Sequence, residues 1–200
     1  IKEDEVRQIL PDAILLVNKG TKHRSGTGAW NTAIKHALSC GASCWVAVLD
    51  DDDEWNPDHV SACLAEVEKR SSVRWVASGL EVWKEGKKGE DEPMVSCMPF
   101  ISELLVRNPG VQGSNLFVEI NALMEAGLFD EGLASCTDRD LCIRLVDTLP
   151  AEAFAITGCR TVKNHRDTDR PRVSERGSPG KMDGLRHFYY KHGSRMTVEE

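Results

Sequence analysis

Two short runs without a polar side chain, residues 13–17 and 45–49, limit what this chain can fold into more than any other feature. A continuous apolar run of this length is what a β-strand buried on both faces requires. Between the two runs, Trp30, Ala33, Ile34, Ala37 and Leu38 recur at the spacing of one helical face, and Gly41 is placed to stop that helix. Strand, helix and strand in this order predict an α/β sheet with mostly parallel strands, flanked by helices. After the second run come four aspartates, then Asn56 and Pro57 as N-cap and first-turn proline of a helix with Val60, Cys63, Leu64 and Val67 along one stripe.

The second half carries weaker signals. Residues 73–83 alternate as a longer strand, 84–92 form a charged, glycine-bearing loop, and 116–118 read as a short strand. A brief helix is expected over 122–126, ending at Gly127, and another begins near Asp138 and carries Leu141, Ile143, Leu145 and Val146. A strand-like piece follows at 161–164. Residues 164–184 are rich in Arg, Pro, Ser and Gly, which predicts a flexible loop that orders around a ligand. With neither internal repeat nor linker, the expectation is one domain over residues 1–200.

Composition excludes several classes. The net charge of −7 argues against general affinity for nucleic acid or an anionic membrane. The seven cysteines form no CxxC pair, which points away from a disulfide framework or zinc site and towards a reducing, cytoplasmic compartment. No apolar run approaches the roughly 20 residues of a spanning helix.

The strongest chemical signal is Leu49-Asp50-Asp51-Asp52-Asp53-Glu54-Trp55. It stands at the C-terminal end of a buried strand, the edge where open α/β sheets bind their ligands. Adjacent carboxylates repel one another unless they share a cation, and oxygen donors suit Mg²⁺ or Mn²⁺. Such an ion would clamp a diphosphate and neutralise charge on it as it leaves. The alternative is a solvated acidic turn that caps the next helix.

This segment resembles the strand–DxD–helix unit of inverting GT-A glycosyltransferases of the family-2-like group. Three further stretches resemble that family in the required order. They are Ser25-Gly26-Thr27-Gly28-Ala29-Trp30-Asn31-Thr32-Ala33-Ile34, then Gly113-Ser114-Asn115-Leu116-Phe117 with Ala126-Gly127-Leu128-Phe129-Asp130-Glu131, and finally Thr137-Asp138-Arg139-Asp140-Leu141 with Arg144-Leu145. The resemblance implies a GT-A, Rossmann-like fold and transfer of a sugar from a nucleoside diphosphate, UDP first, to an acceptor hydroxyl with inversion. It implies Asp138 as catalytic base, and Asp50, Asp52 and Asp53 with His165 as ligands of Mn²⁺ or Mg²⁺. Donor contacts would come from Asn18, Gly20, Asn31, Asp50, Asp51, Arg166, Arg170, Arg172 and Lys181. Gly113, Ser114 and Asn115 would stand on the acceptor side.

Several positions depart from the pattern. Ile1-Lys2-Glu3-Asp4-Glu5-Val6 reads as the helix that follows the family's first strand, so the expectation is an upstream apolar strand that pairs beside residues 13–17. Asn18 stands where uridine-binding relatives commonly carry an aspartate, Trp30 where an arginine is frequent, and Thr137 where a glutamate precedes the base. Two other readings share parts of this pattern: a metal-dependent nucleotidyltransferase and a non-catalytic binding module of the same fold.

Overall fold

A computed structural model describes residues 3–20, 25–89, 94–166, 175 and 177–197. Its helices are α1 (Glu3–Ile9), α2 (Thr27–Ser39), α3 (His59–Lys69), α4 (Ile101–Val106), α5 (Ile120–Glu125), α6 (Thr137–Thr148) and α7 (Pro179–His192). The strands are β1 (Trp45–Ala47), β2 (Asp53–Trp55), β3 (Trp75–Lys84), β4 (Lys87–Lys88), β5 (Leu116–Glu119) and β6 (Phe154–His165).

The strands form one sheet in the order β1-β5-β3-β6-β2, with β4 paired to β3. Only β3 and β6 pair in parallel; the other pairings among the described residues are antiparallel. The expectation of a mostly parallel sheet is therefore corrected. β1, β3 and β6 do run in one direction, but β5 lies between β1 and β3 and runs against both. Residue alternation within a strand reports which face a side chain takes, not which way the strand points, so the direction of β5 could not be read from the pattern.

Both faces of the sheet are covered, which explains the uninterrupted apolar run of β1, whose Val46 packs on one core and Trp45 and Ala47 on the other. Trp75 and Ala77 of β3, with Leu116 and Val118 of β5, join a large core that also takes in Ile34 of α2, Leu104 of α4, Leu123 of α5, Leu141 and Leu145 of α6 and Phe188 of α7. Val76 and Phe117 point the other way and pack with Cys63 of α3, Val73 and Ala155. Trp75 packs on Phe154 on one face, and Trp45 stacks on Phe117 on the other.

Three other expectations need correction. Residues 13–17 form no strand, and Ile14 and Val17 are 71% and 80% exposed. Apolar content favours burial, but a strand also needs a neighbour to accept its ladder hydrogen bonds. Helix α3 starts at His59, two residues after the expected proline, and buries His59 and Cys63 while Val60 and Leu64 stay exposed. The stretch 164–184 is not one loop: Asn164 and His165 end β6, and α7 begins at Pro179. There Ser178 caps the helix by accepting from the Lys181 N–H, with proline at the first helical position. Arg170 and Arg172 lie outside the described residues.

Candidate active site

The end of β1, the acidic turn and the first turn of α6 converge. Asp50 follows the strand, and its backbone N–H donates to Ser114 Oγ at 3.1 Å. The Asp53 N–H donates back to the Asp50 carbonyl at 3.1 Å, which closes the turn. The Trp55 indole N–H then donates to the Ser114 carbonyl at 2.8 Å, while its ring stacks on His59. Ser114 thus grips the acidic turn at both ends.

That turn brings together carboxylate oxygens of Asp50, Asp52 and Asp53, all within 4.8 Å of one another. Burial pushes the Asp50 carboxyl up to about 8, helped by the charges of Asp138, Asp53, Asp52 and Asp51. A carboxylate held this far from its ordinary range is a group whose ionised form lacks a positive partner. The donor set, hard oxygens on a short turn, fits a divalent cation such as Mg²⁺ or Mn²⁺. Asp51 is exposed at the apex of the turn.

Asp138 enters from α6. Cys136, before the helix, has φ 64, a left-handed conformation uncommon outside glycine, and turns the chain into α6. Asp138 Oδ1 is buried and lacks a hydrogen-bond partner. A Cβ on Gly113 would sit 3.5 Å from that oxygen and 3.3 Å from the Trp30 ring, so the glycine lets backbone approach the acid closely. Burial raises the Asp138 carboxyl to about 6; the backbone N–H of Gly113 and the charge of Lys181 pull it down, and Asp53 pushes it up.

The neighbours of Asp138 on α6 reach the opposite way. Arg139 donates to the Leu104 and Leu105 carbonyls at the end of α4 and lies 4.5 Å over the Phe188 ring. Asp140 is fully buried and receives Arg144, Lys191 and His192. One helical turn therefore presents its acid to the site while two charged residues anchor it in the core.

Other expected site residues fall in different places. Asn31 is buried: its amide donates to the Phe129 carbonyl and Glu131, and its Oδ1 accepts from the Phe129 N–H, so it braces α2 against the Gly127–Glu131 turn. Asn18 Oδ1 accepts from the Gly20 N–H at 2.8 Å and shapes a turn beside α2. Gly20 is tightly packed, since a Cβ there would lie 2.7 Å from Glu131 Oε2. Asn115 is also a brace, with its amide on the Ser78 and Gly110 carbonyls. Lys181 stands by Cys136, and Arg166 donates to Asn164 Oδ1. His165 does not join the aspartates: its Nε2 lies 3.4 Å from Glu54 Oε2 and its ring packs near Trp83. The β6 residue that meets the trio is Asn164, donating to Asp53 Oδ1 at 2.8 Å.

The glycosyl transferase family 2 model matches residues 3–121, more than half of the chain and the part that includes the acidic turn. The chain belongs to glycosyl transferase family 2. Comparison with curated protein sequences returns no match. Among solved structures, S. aureus TarS, residues 1–349 in complex with UDP-GlcNAc, is similar in fold, with a TM-score of 0.56 at 12% identity. The alignment covers 97% of this chain and 62% of that one, so this chain spans less than two thirds of the length of the TarS structure. Family and fold agree with the GT-A expectation. Membership of that family favours sugar transfer over the nucleotidyltransferase reading. No helix among the described residues is long and apolar enough to cross a membrane.

Proposed function

We propose that this chain forms the donor- and metal-binding core of a glycosyltransferase that moves a sugar from a nucleoside diphosphate to an acceptor hydroxyl with inversion. The observation that carries this reading is one acidic recess holding two kinds of carboxylate. Asp50, Asp52 and Asp53 form a tight trio, and Asp138 approaches it from α6 closely enough to raise Asp50. Family membership supplies the reaction class.

Asp50, Asp52 and Asp53 would hold Mn²⁺ or Mg²⁺. When bound, the cation supplies Lewis-acid stabilisation of the departing diphosphate. Asp138 takes the proton of the acceptor hydroxyl as it attacks the anomeric carbon. An acid raised to about 6 suits this task, because it is mostly ionised at neutral pH and still more basic than an ordinary aspartate. Direct attack assisted by one base needs no covalent sugar–enzyme intermediate, and the configuration inverts.

Lys181 and Arg166 supply cations for the diphosphate, and the turn from Asn18 to Gly20 contributes to the nucleotide pocket. Gly113 lines the acceptor side next to Asp138, where a side chain would crowd it. The similar TarS structure holds UDP-GlcNAc, which makes a UDP-sugar the first donor to test. Seven free thiols suit a reducing, cytoplasmic setting.

The test is a panel of nucleoside diphosphates and their sugars, each with and without Mn²⁺, followed by thermal shift and calorimetry. A ligand that binds only the folded state raises Tm by mass action. The expected pattern is a metal-dependent shift with one nucleotide class, lost in Asp52→Ala while that variant keeps its fold. Unchanged metal-dependent affinity in Asp52→Ala would remove the trio from the donor site.

A further inference from the structure

Strand alternation decides which residue of β6 meets the acidic turn. Asp53 in β2 lies directly opposite Asn164 in β6. Residues opposite each other in an antiparallel pair share a face, and the next residue takes the other. Asn164 is therefore set against the carboxylates, and His165 faces Glu54 and Trp83. The Asn164 side chain is 2% exposed and fully engaged. Its Nδ2 donates to Asp53 Oδ1 at 2.8 Å and to Gln112 Oε1 at 3.2 Å, and its Oδ1 accepts from Arg166 Nε at 3.3 Å. Two acceptors on one side and a donor on the other fix the sense of the amide.

We infer that Asn164 is a positioning residue for a divalent cation at Asp50, Asp52 and Asp53, and that it acts through Asp53. This rests on the metal-dependent reading above. A carboxylate that ligates a metal must be turned to present a lone pair, and a hydrogen bond from a neighbour holds it in that orientation. A neutral amide does so without changing the charge of the cluster. A lysine or arginine here would neutralise Asp53 in place of the cation, and a fourth carboxylate would add to the repulsion that already raises Asp50. Gln112 completes the arrangement. It precedes the turn carrying Ser114, so one segment steadies Asp53 through Asn164 and Asp50 through Ser114.

The experiment measures Mn²⁺ affinity of the nucleotide-free full chain by electron paramagnetic resonance, which needs no turnover. The proteins are wild type, Asn164→Leu, Asp53→Asn and the double variant, each checked for folding by circular dichroism in EDTA. Asn164→Leu weakens Mn²⁺ binding about 10- to 100-fold, the usual effect of losing a partner of a metal ligand. In the Asp53→Asn background the same substitution has no further effect, because the residue through which it acts has already changed. Should Asn164→Leu not fold, Gln112→Leu removes the second acceptor of the amide and gives a smaller loss with the same dependence on Asp53. Wild-type affinity in Asn164→Leu, or an equal loss in both backgrounds, overturns the inference while the metal site stands. A wild type that binds no Mn²⁺ overturns the metal reading and this inference together.

Discussion

Replacing Asp140 with alanine probes the anchor that presents the proposed base. Asp140 Oδ2 accepts from Arg144 Nε at 2.9 Å and Nη2 at 2.8 Å, and Oδ1 accepts from His192 Nε2 and Lys191 Nζ, both at 2.8 Å. Arg144 also donates to the Ala126 and Leu128 carbonyls, so one carboxylate ties α6 to the end of α5 and to α7. The Asp140 side chain is fully buried and that of Arg144 is 18% exposed, which leaves little solvent screening. Removing one partner of such a pair strands the other charge and costs about 3–5 kcal/mol. At about 2–4 °C per kcal/mol for a chain of this size, Asp140→Ala lowers Tm by about 6–20 °C. Urea denaturation followed by circular dichroism checks the free energy directly. A loss below about 1 kcal/mol, the range of an exposed ion pair, would refute the claim that this cluster anchors α6.

Three further outcomes follow from the same contacts. In EDTA, stability should fall as pH rises from about 4 to about 8: the folded state keeps Asp50 protonated up to about 8, the unfolded chain does not, and the folded state therefore binds more protons across that window. Mn²⁺ should flatten this decline, and a Tm in EDTA that rises with pH across the window would contradict it. Trp55→Phe keeps the ring on His59 but loses the bond to the Ser114 carbonyl; it should cost about 1 kcal/mol and weaken Mn²⁺ binding, as read by denaturation and titration. Gly184→Ala would place a Cβ 2.5 Å from the Ser135 backbone nitrogen, so denaturation should show a loss of about 1–3 kcal/mol or more as α7 is pushed from its seat.

Much of the site was legible because its signals are local. The acidic turn needs only an apolar run before it and a helix after it, and both lie within 20 residues of Asp50. Helix α2 and strand β3 declared themselves by period, although Ala33 of the predicted stripe is exposed. What the sequence concealed depends on distant partners. Residues 13–17 have a strand's composition without the ladder that makes a strand. The direction of β5 is set by what it lies between, not by its own residues. Helix α7 was hidden by Gly, Arg and Pro in the surrounding stretch, although Ser178-Pro179 carries a readable start signal. The family resemblance implied His165 as a ligand by its position, but the register of β6 against β2 brings its neutral neighbour Asn164 to the trio. Asn31 and Asn115 matched family motifs, and the structure shows both as buried braces.

The measurement that bears most directly on the proposed chemistry compares wild type with Asp138→Asn, using donor turnover and donor binding side by side. Asparagine keeps the size of the side chain and cannot take a proton at neutral pH. Loss of general-base assistance should slow sugar transfer about 10²- to 10⁴-fold. Affinity for the donor should stay near the wild-type level, since its proposed contacts come from the Asp50–Asp53 turn, Lys181, Arg166 and the Asn18–Gly20 turn, and a base contributes in the transition state. Equal turnover by the two proteins would contradict the assignment of Asp138, and a parallel loss of donor binding would show that it holds the site together instead of acting as the base.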